Sequence, residues 1–259
     1  MSTRLALAST LALAAGCTEA RPPVPLDLRA ATGHDDLRPS GVAVDPTGAR
    51  YLLDDHLGLY RLRAGGAVEL VRSRAALSDL GVPVLAPLTD LVAIGPGRFA
   101  LTALGEGFLL DLRLGTLRPF FGARPDDGHD QRTDAVAYDP DAQLLYAQPR
   151  TFDAGHHLLA SQVASYSLAT GADLQWFDVT DDVAAGGMAK VPGVAELVLG
   201  VDTALCLLAL DDVDEVLDLA PLGIVGIDGL AVDRAARTLL IVDGDAAQLL
   251  ELELDSVFH

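Results

Sequence analysis

The chain has 259 residues, half of them hydrophobic, with 37 acidic against 18 basic side chains and a formal net charge of −19. That length suits one repeat domain with a sizeable core, and the shortage of clustered Lys and Arg excludes nucleic acid as a ligand. An anionic bilayer met by the average protein surface is disfavoured for the same reason, whereas an exported protein, a cationic ligand, a basic partner or plain solubility all suit the balance.

Asn is absent and Lys190 is the sole lysine, so the chain offers no N-glycosylation sequon and no Asn ligand. With one Trp, seven Phe and five Tyr, the core has to be built from Leu, Val and Ala.

At the N-terminus, Arg4 precedes a short apolar run, Leu5 to Leu13, which has the form of an export signal and is too short to span a bilayer. Ala14-Ala15-Gly16-Cys17 follows and resembles the lipobox of bacterial lipoproteins, with Ala14 where the family usually has Leu. The resemblance implies a signal peptide of residues 1–16, a diacylglycerol on Cys17 and a short tether over residues 17–23. Thr18 in place of Asp implies the outer membrane or cell surface rather than inner-membrane retention. Cleavage at an ordinary secretory site is the alternative. The other cysteine, Cys206, lies within Leu205-Cys206-Leu207-Leu208 and reads as a buried apolar residue rather than a nucleophile.

From residue 24 onward the chain repeats itself. Gly41-Val42-Ala43-Val44-Asp45 matches Gly229-Leu230-Ala231-Val232-Asp233, and each is followed by a turn and an apolar strand ending in Asp. Weaker copies start at residues 91, 135 and 187, a spacing of roughly 40 to 50 residues, as expected of propeller blades. Each unit divides into four strands, A to D. Asp45-Pro46-Thr47-Gly48, Pro96-Gly97, Pro140-Asp141 and Pro192-Gly193 supply the A–B turns. The fifth unit has three strands, and Val24 to Leu28 is positioned to supply the missing outer one and close the ring. The expected fold is therefore all-β, a five-bladed propeller over residues 24–259. Ser73 to Leu88 is either a degraded sixth blade or, as Arg74 to Leu80 suggests, a helical insert. A β-sandwich with coincidental spacing is the competing fold.

Pro39 to Leu62 resembles an NHL repeat, and the whole chain resembles the wider NHL, SMP-30 and SdiA-regulated group of propellers. In such a fold the D–A and B–C loops share one face. Asp126, Asp127 and His129 fall in a D–A loop; Asp54, Asp55, His56, Glu106, Asp202, Asp243 and Asp245 fall in B–C loops. The longest B–C loop is expected from Gln148 to Gln162, carrying Arg150, Asp153, His156 and His157. The residue ahead of each strand A is Ser40, Asp90, Asp134, Gly186 and Asp228. Asp90, Asp134 and Asp228 would thus ring the channel mouth, either capping turns or holding a divalent cation such as Ca²⁺.

No Gly-x-Ser-x-Gly elbow, His-Glu-x-x-His motif, P-loop or Cys-x-x-Cys is present. The resemblance to SMP-30-like lactonases implies a metal held by Glu, Asp and Asn, a set this Asn-free chain cannot copy. Two functions are carried forward. One is a monomeric, non-enzymatic binding lipoprotein that engages a protein or small molecule through an acidic loop face. The other is a divalent-metal-dependent hydrolase, of lactonase or phosphoesterase type, with Asp90, Asp134 and Asp228 around the ion and His56 or His129 as base.

Overall fold

A computed structural model describes residues 23–63, 66–122, 130–179, 183–209 and 212–258. The signal segment and Cys17, and the expected loop residues Asp126, Asp127 and His129, lie outside the described residues.

The strands form five separate four-stranded antiparallel sheets around one axis. β1 (Leu26–Asp27) leads through α1 (Leu28–Thr32) into blade 1, made of β2 (Pro39–Val44), β3 (Arg50–Asp54), β4 (Gly58–Leu62) and β5 (Val68–Ser73). After α2 (Arg74–Asp79), blade 2 holds β6 (Leu88–Gly95), β7 (Arg98–Ala103), β8 (Glu106–Asp111) and β9 (Thr116–Phe121). Blade 3 holds β10 (Asp130–Asp139), β11 (Leu144–Phe152), β12 (Leu158–Ser167) and β13 (Asp173–Val179). Blade 4 holds β14 (Ala185–Ala189), β15 (Leu197–Val201), β16 (Ala204–Ala209) and β17 (Asp212–Asp218). Blade 5 holds β18 (Gly229–Asp233), β19 (Thr238–Asp243) and β20 (Gln248–Glu253), and α3 (Leu254–Val257) follows. Its fourth strand is β1, which pairs with β20 and so joins the two ends of the chain.

The sequence reading thus holds for blade number, strand order and closure. Between Ser73 and Leu88 lies the expected helix and no further strand: Ser73 caps α2 by accepting from the Ala76 amide at 3.2 Å, and Leu77 buries its side chain. Two details differ. The clasp is two residues long rather than five, because Asp27 accepts from the Ala30 amide and starts α1 there. The expected loop from Gln148 to Gln162 is mostly a long hairpin, β11 and β12, joined by residues 153–157.

A two-residue clasp needs reinforcement. Arg50 of blade 1 supplies it, donating to Glu251 at 2.9 and 2.7 Å and to Asp233 at 3.1 Å in blade 5. Leu28, Leu37, Val42 and Leu52 pack there against Leu240 and Leu249. Polar bonds also span the other blade boundaries. The Gly97 amide donates to Asp45, Val136 to Asp90, Ala185 to Gln148, and Ile227 to the Asp202 carbonyl.

Around the axis the five inner strands approach to backbone contact. A Cβ on Gly229 would sit 2.8 Å from the Gly41 Cα, and one on Gly187 would sit 2.6 Å from the Leu230 amide nitrogen. Only hydrogen fits at these positions. Gly229→Ala is expected to cost about 2 kcal/mol or more through overpacking against backbone that cannot yield, read from the denaturation midpoint. Arg50→Met is expected to cost about 1 kcal/mol at pH 7, its exposure reducing the effect. The Arg50 hydrogen bond is the main cause holding the Glu251 carboxyl below its ordinary value. A depressed folded-state pKa stabilises above the unfolded value and is lost as pH falls through the folded one. The difference between Arg50→Met and the parent should therefore shrink below about pH 4, measured by urea unfolding at several pH values.

Candidate functional site

At the start of the inner strand the ladder slips in four blades: between Pro39 and Gly41, Leu88 and Asp90, Thr133 and Val136, and Ala185 and Gly187. Such bulges bend a strand and re-aim the side chain left over. Ser40, Thr89, Asp134 and Gly186, with Asp228 just ahead of β18, line a cavity of about 420 Å³ at one mouth of the channel. Asp55, Arg150, Asp202 and Asp245 line it too, so the B–C and D–A loops do share the face the sequence implied.

Blade 2 contributes Thr89 to this ring, where the sequence pointed to Asp90. A one-residue change of register sends a side chain to the other side, and Asp90 lies one step deeper, on the level of Gly41 and Gly229. It is fully buried and accepts from the Leu91 amide at 2.7 Å and the Val136 amide at 2.8 Å. Burial pushes its carboxyl well above the usual range, against the pull of those two bonds, and the charge of Asp228 adds to the rise.

The two other expected ligands are also engaged. Asp134 is ion-paired with the Arg150 guanidinium, both partly buried. Asp228 accepts from the Gly244 amide at 2.6 Å. Burial raises its carboxyl, the Gly244 bond opposes this, and the nearby charges of Asp245, Asp243 and Asp55 raise it further. Among the described residues no three His, Cys, Asp or Glu side chains gather closely enough to hold one ion. As arranged, Asp90, Asp134 and Asp228 do not fit a divalent metal.

Asp54 and Asp243 are structural. Both are fully buried at the end of strand B. Asp54 accepts from the amides of Arg38, His56 and Leu57 at 2.6 to 2.9 Å. Asp243 accepts from Val225 at 2.6 Å and from Ala246 at 2.8 Å. Each ties the incoming D–A connection to the B–C turn of its own blade. Asp153 does a similar job at the hairpin tip, accepting from the amides of Gly155 and His157 and lying 3.0 Å from the His157 ring nitrogen. His156 and His157 are exposed beside it, and Glu106 is exposed at the first residue of β8.

The groups left to a ligand are Ser40, Asp55, Asp202 and Asp245. The Ser40 Oγ and Asp55 Oδ1 atoms are buried without a hydrogen-bond partner among the described residues. Burial raises the Asp55 carboxyl; His56, whose ring nitrogen lies 3.3 Å away, pulls it back. The cavity is thus a polar cup of acceptors with one neutralised cation, Arg150. Sequence reasoning missed Thr89 and the pairing of Arg150 with Asp134; aligning Thr89-Asp90-Leu91 with Ser40-Gly41-Val42 would have found the first.

No family model matches the sequence, and no curated protein matches it. In structure the chain is similar to a gluconolactonase from Xanthomonas campestris, with a TM-score of 0.53 and 17% identity over 82% of this chain and 71% of that one. It is also similar to a chain of the mitotic checkpoint complex, with a TM-score of 0.48 and 12% identity over 97% and 99%. At the first of these identities the likeness is one of fold, that of the β-propeller.

Asp54→Ala is expected to lower stability by about 3 kcal/mol, because three partly buried backbone amides lose their acceptor. Asp245→Ala, on the exposed rim, should change it by less than about 0.5 kcal/mol. Equal effects in chemical denaturation would mean that Asp54 is not the strut described.

Proposed function

We propose that the protein is an exported, lipid-anchored binding propeller, not an enzyme, whose acceptor-rich mouth receives a cationic group of a partner protein or small molecule. One observation carries this reading: each carboxylate that would build a metal centre is already engaged, while Ser40, Asp55, Asp202 and Asp245 remain to face a ligand. A guanidinium or ammonium group offers several N–H donors and a positive charge to such a cup. The resemblance of Ala14 to Cys17 to a lipobox supports the anchor.

The second reading, a metal-dependent lactone hydrolase, draws on the likeness to the Xanthomonas gluconolactonase. It requires Arg150 to release Asp134 and Asp90 to leave its two amides.

Titration calorimetry decides between them. Arginine amide is expected to bind, with affinity that rises as pH increases above the ordinary carboxyl range. The reason is that burial raises the Asp55 carboxyl above its ordinary value, and only the ionised form attracts a cation. Asp55→Ala should weaken binding at least fivefold. Heat and lactone hydrolysis on adding Ca²⁺ or Mn²⁺, with no response to arginine amide, would replace this reading by the hydrolase.

A further inference from the structure

Two features of the fold bear on how an anchored molecule would stand. The first is the direction in which the chain enters the ring. β20 runs from the B–C side at Gln248 to the opposite side at Glu253, and β1 is antiparallel to it. The chain therefore reaches Leu26 from the side of the A–B and C–D turns. Pro23 and Val24 lie there, lining one cavity with Gly48 of an A–B turn and Gly66 of a C–D turn in blade 1. Cys17 is separated from the body by residues 18–23, a stretch that spans at most about 20 Å.

The second feature is the distribution of charge. With His neutral, the described residues joining strand B to C and D to the next A sum to −5, whereas those of the A–B and C–D turns, together with the C-terminal segment after β20, sum to +1. The connections on the side where the tether arrives are thus the less acidic set, while most of the net charge of −19 is carried by the strands.

From these we propose that the face formed by the A–B and C–D turns is a membrane-apposed surface. A bilayer lies against it, and the acidic mouth cavity opens away from the lipid. This rests on the acylation of Cys17 put forward above. The opposite orientation would have to wrap a six-residue tether around the edge of blade 5 and bring the more acidic connections to headgroups that carry negative charge, where repulsion opposes it. With the turn face down, the tether stays short and the less acidic set of connections meets the lipid. The cavity is then presented to partners in the surrounding space at the full height of the propeller.

The test uses the full-length protein made in a bacterium that processes lipoproteins and inserted into vesicles of phosphatidylethanolamine and phosphatidylglycerol with a nitroxide-headgroup lipid. Single labelling sites are placed at the two ends of one blade, Ala142→Cys in an A–B turn and Ala154→Cys in a B–C loop, both exposed. The parent protein, whose Cys206 is buried, gives the labelling background. Quenching of the fluorophore at residue 142 is expected to exceed that at residue 154 at least threefold, and the pair Thr170→Cys and Leu104→Cys should repeat the contrast. Equal or reversed quenching with Cys17 acylated overturns the orientation and leaves the anchor standing. A mass spectrum showing unmodified Cys17 overturns both.

Discussion

Everything in this molecule follows from how closely five twisted sheets must crowd their inner strands to close a circle. At the level of Gly41, Gly187 and Gly229 the backbones touch, and a methyl group would fall within 2.6 to 2.9 Å of neighbouring atoms. The pinch divides the channel. On one side the bulged residues open into the polar cavity. On the other, Ala43, Val92, Met188 and Leu230 help line a largely apolar cavity of about 290 Å³. At the pinch itself, blade 2 places Asp90 where three other blades place glycine. Its side chain reaches across to the Val136 amide of blade 3, filling the narrowest point with a group that also fastens two blades together.

Much of this architecture was legible because the turns announce themselves. Asp45-Pro46-Thr47-Gly48 is an Asx turn in which Asp45 accepts from the Thr47 and Ala49 amides, and the equivalent Asp233 accepts from Ala236. What the sequence concealed has physical causes. Pro149, Gln148 and Arg150 gave β11 the composition of a loop, yet Gln148 is fully buried and bonded to Ser161, Val183 and Ala185. Blade 2 lacks the glycine that marks the inner strand of blades 1 and 5, so its register was read one residue late. Several turns also lack the residue type that advertises them. In a chain without Asn, the left-handed positions that glycine does not hold fall to Leu104, Gln143, His156, Asp202, Arg237 and Ala247, whereas Asn or Gly would have signalled a turn at each.

Part of the acidic charge serves the fold. Asp takes over the capping that Asn and Asp usually share. Asp45, Asp54, Asp90, Asp233 and Asp243 are all buried, and backbone amides stand in for lost water. Burial works against ionisation of Asp45, yet bonds from Thr47, Ala49 and Gly97 hold its carboxyl below the ordinary value. At Asp90, with two amides and deeper burial, desolvation wins and the carboxyl rises. The contrast follows from the number of donors each carboxylate meets against the water it has lost. Reading the −19 as an open acidic surface therefore overstates what a partner can reach.

Removing those struts from the count sharpens the functional picture. The carboxylates that remain accessible around the mouth, Asp55, Asp202 and Asp245, sit on connections between strands, not on the strands' ladders, and the ring of bulges holds them around one cavity. A rigid scaffold with adaptable polar groups on its loops is suited to recognition, because the blades bear the ordering cost and the loops supply the contacts. Catalysis would demand more: a free nucleophile, or an ion whose ligands are not already serving the fold. Two of the residues that could have supplied those ligands already serve the fold: Asp90 crosses the pinch to the Val136 amide of blade 3, and Asp228 holds the Gly244 amide in the B–C loop of its own blade.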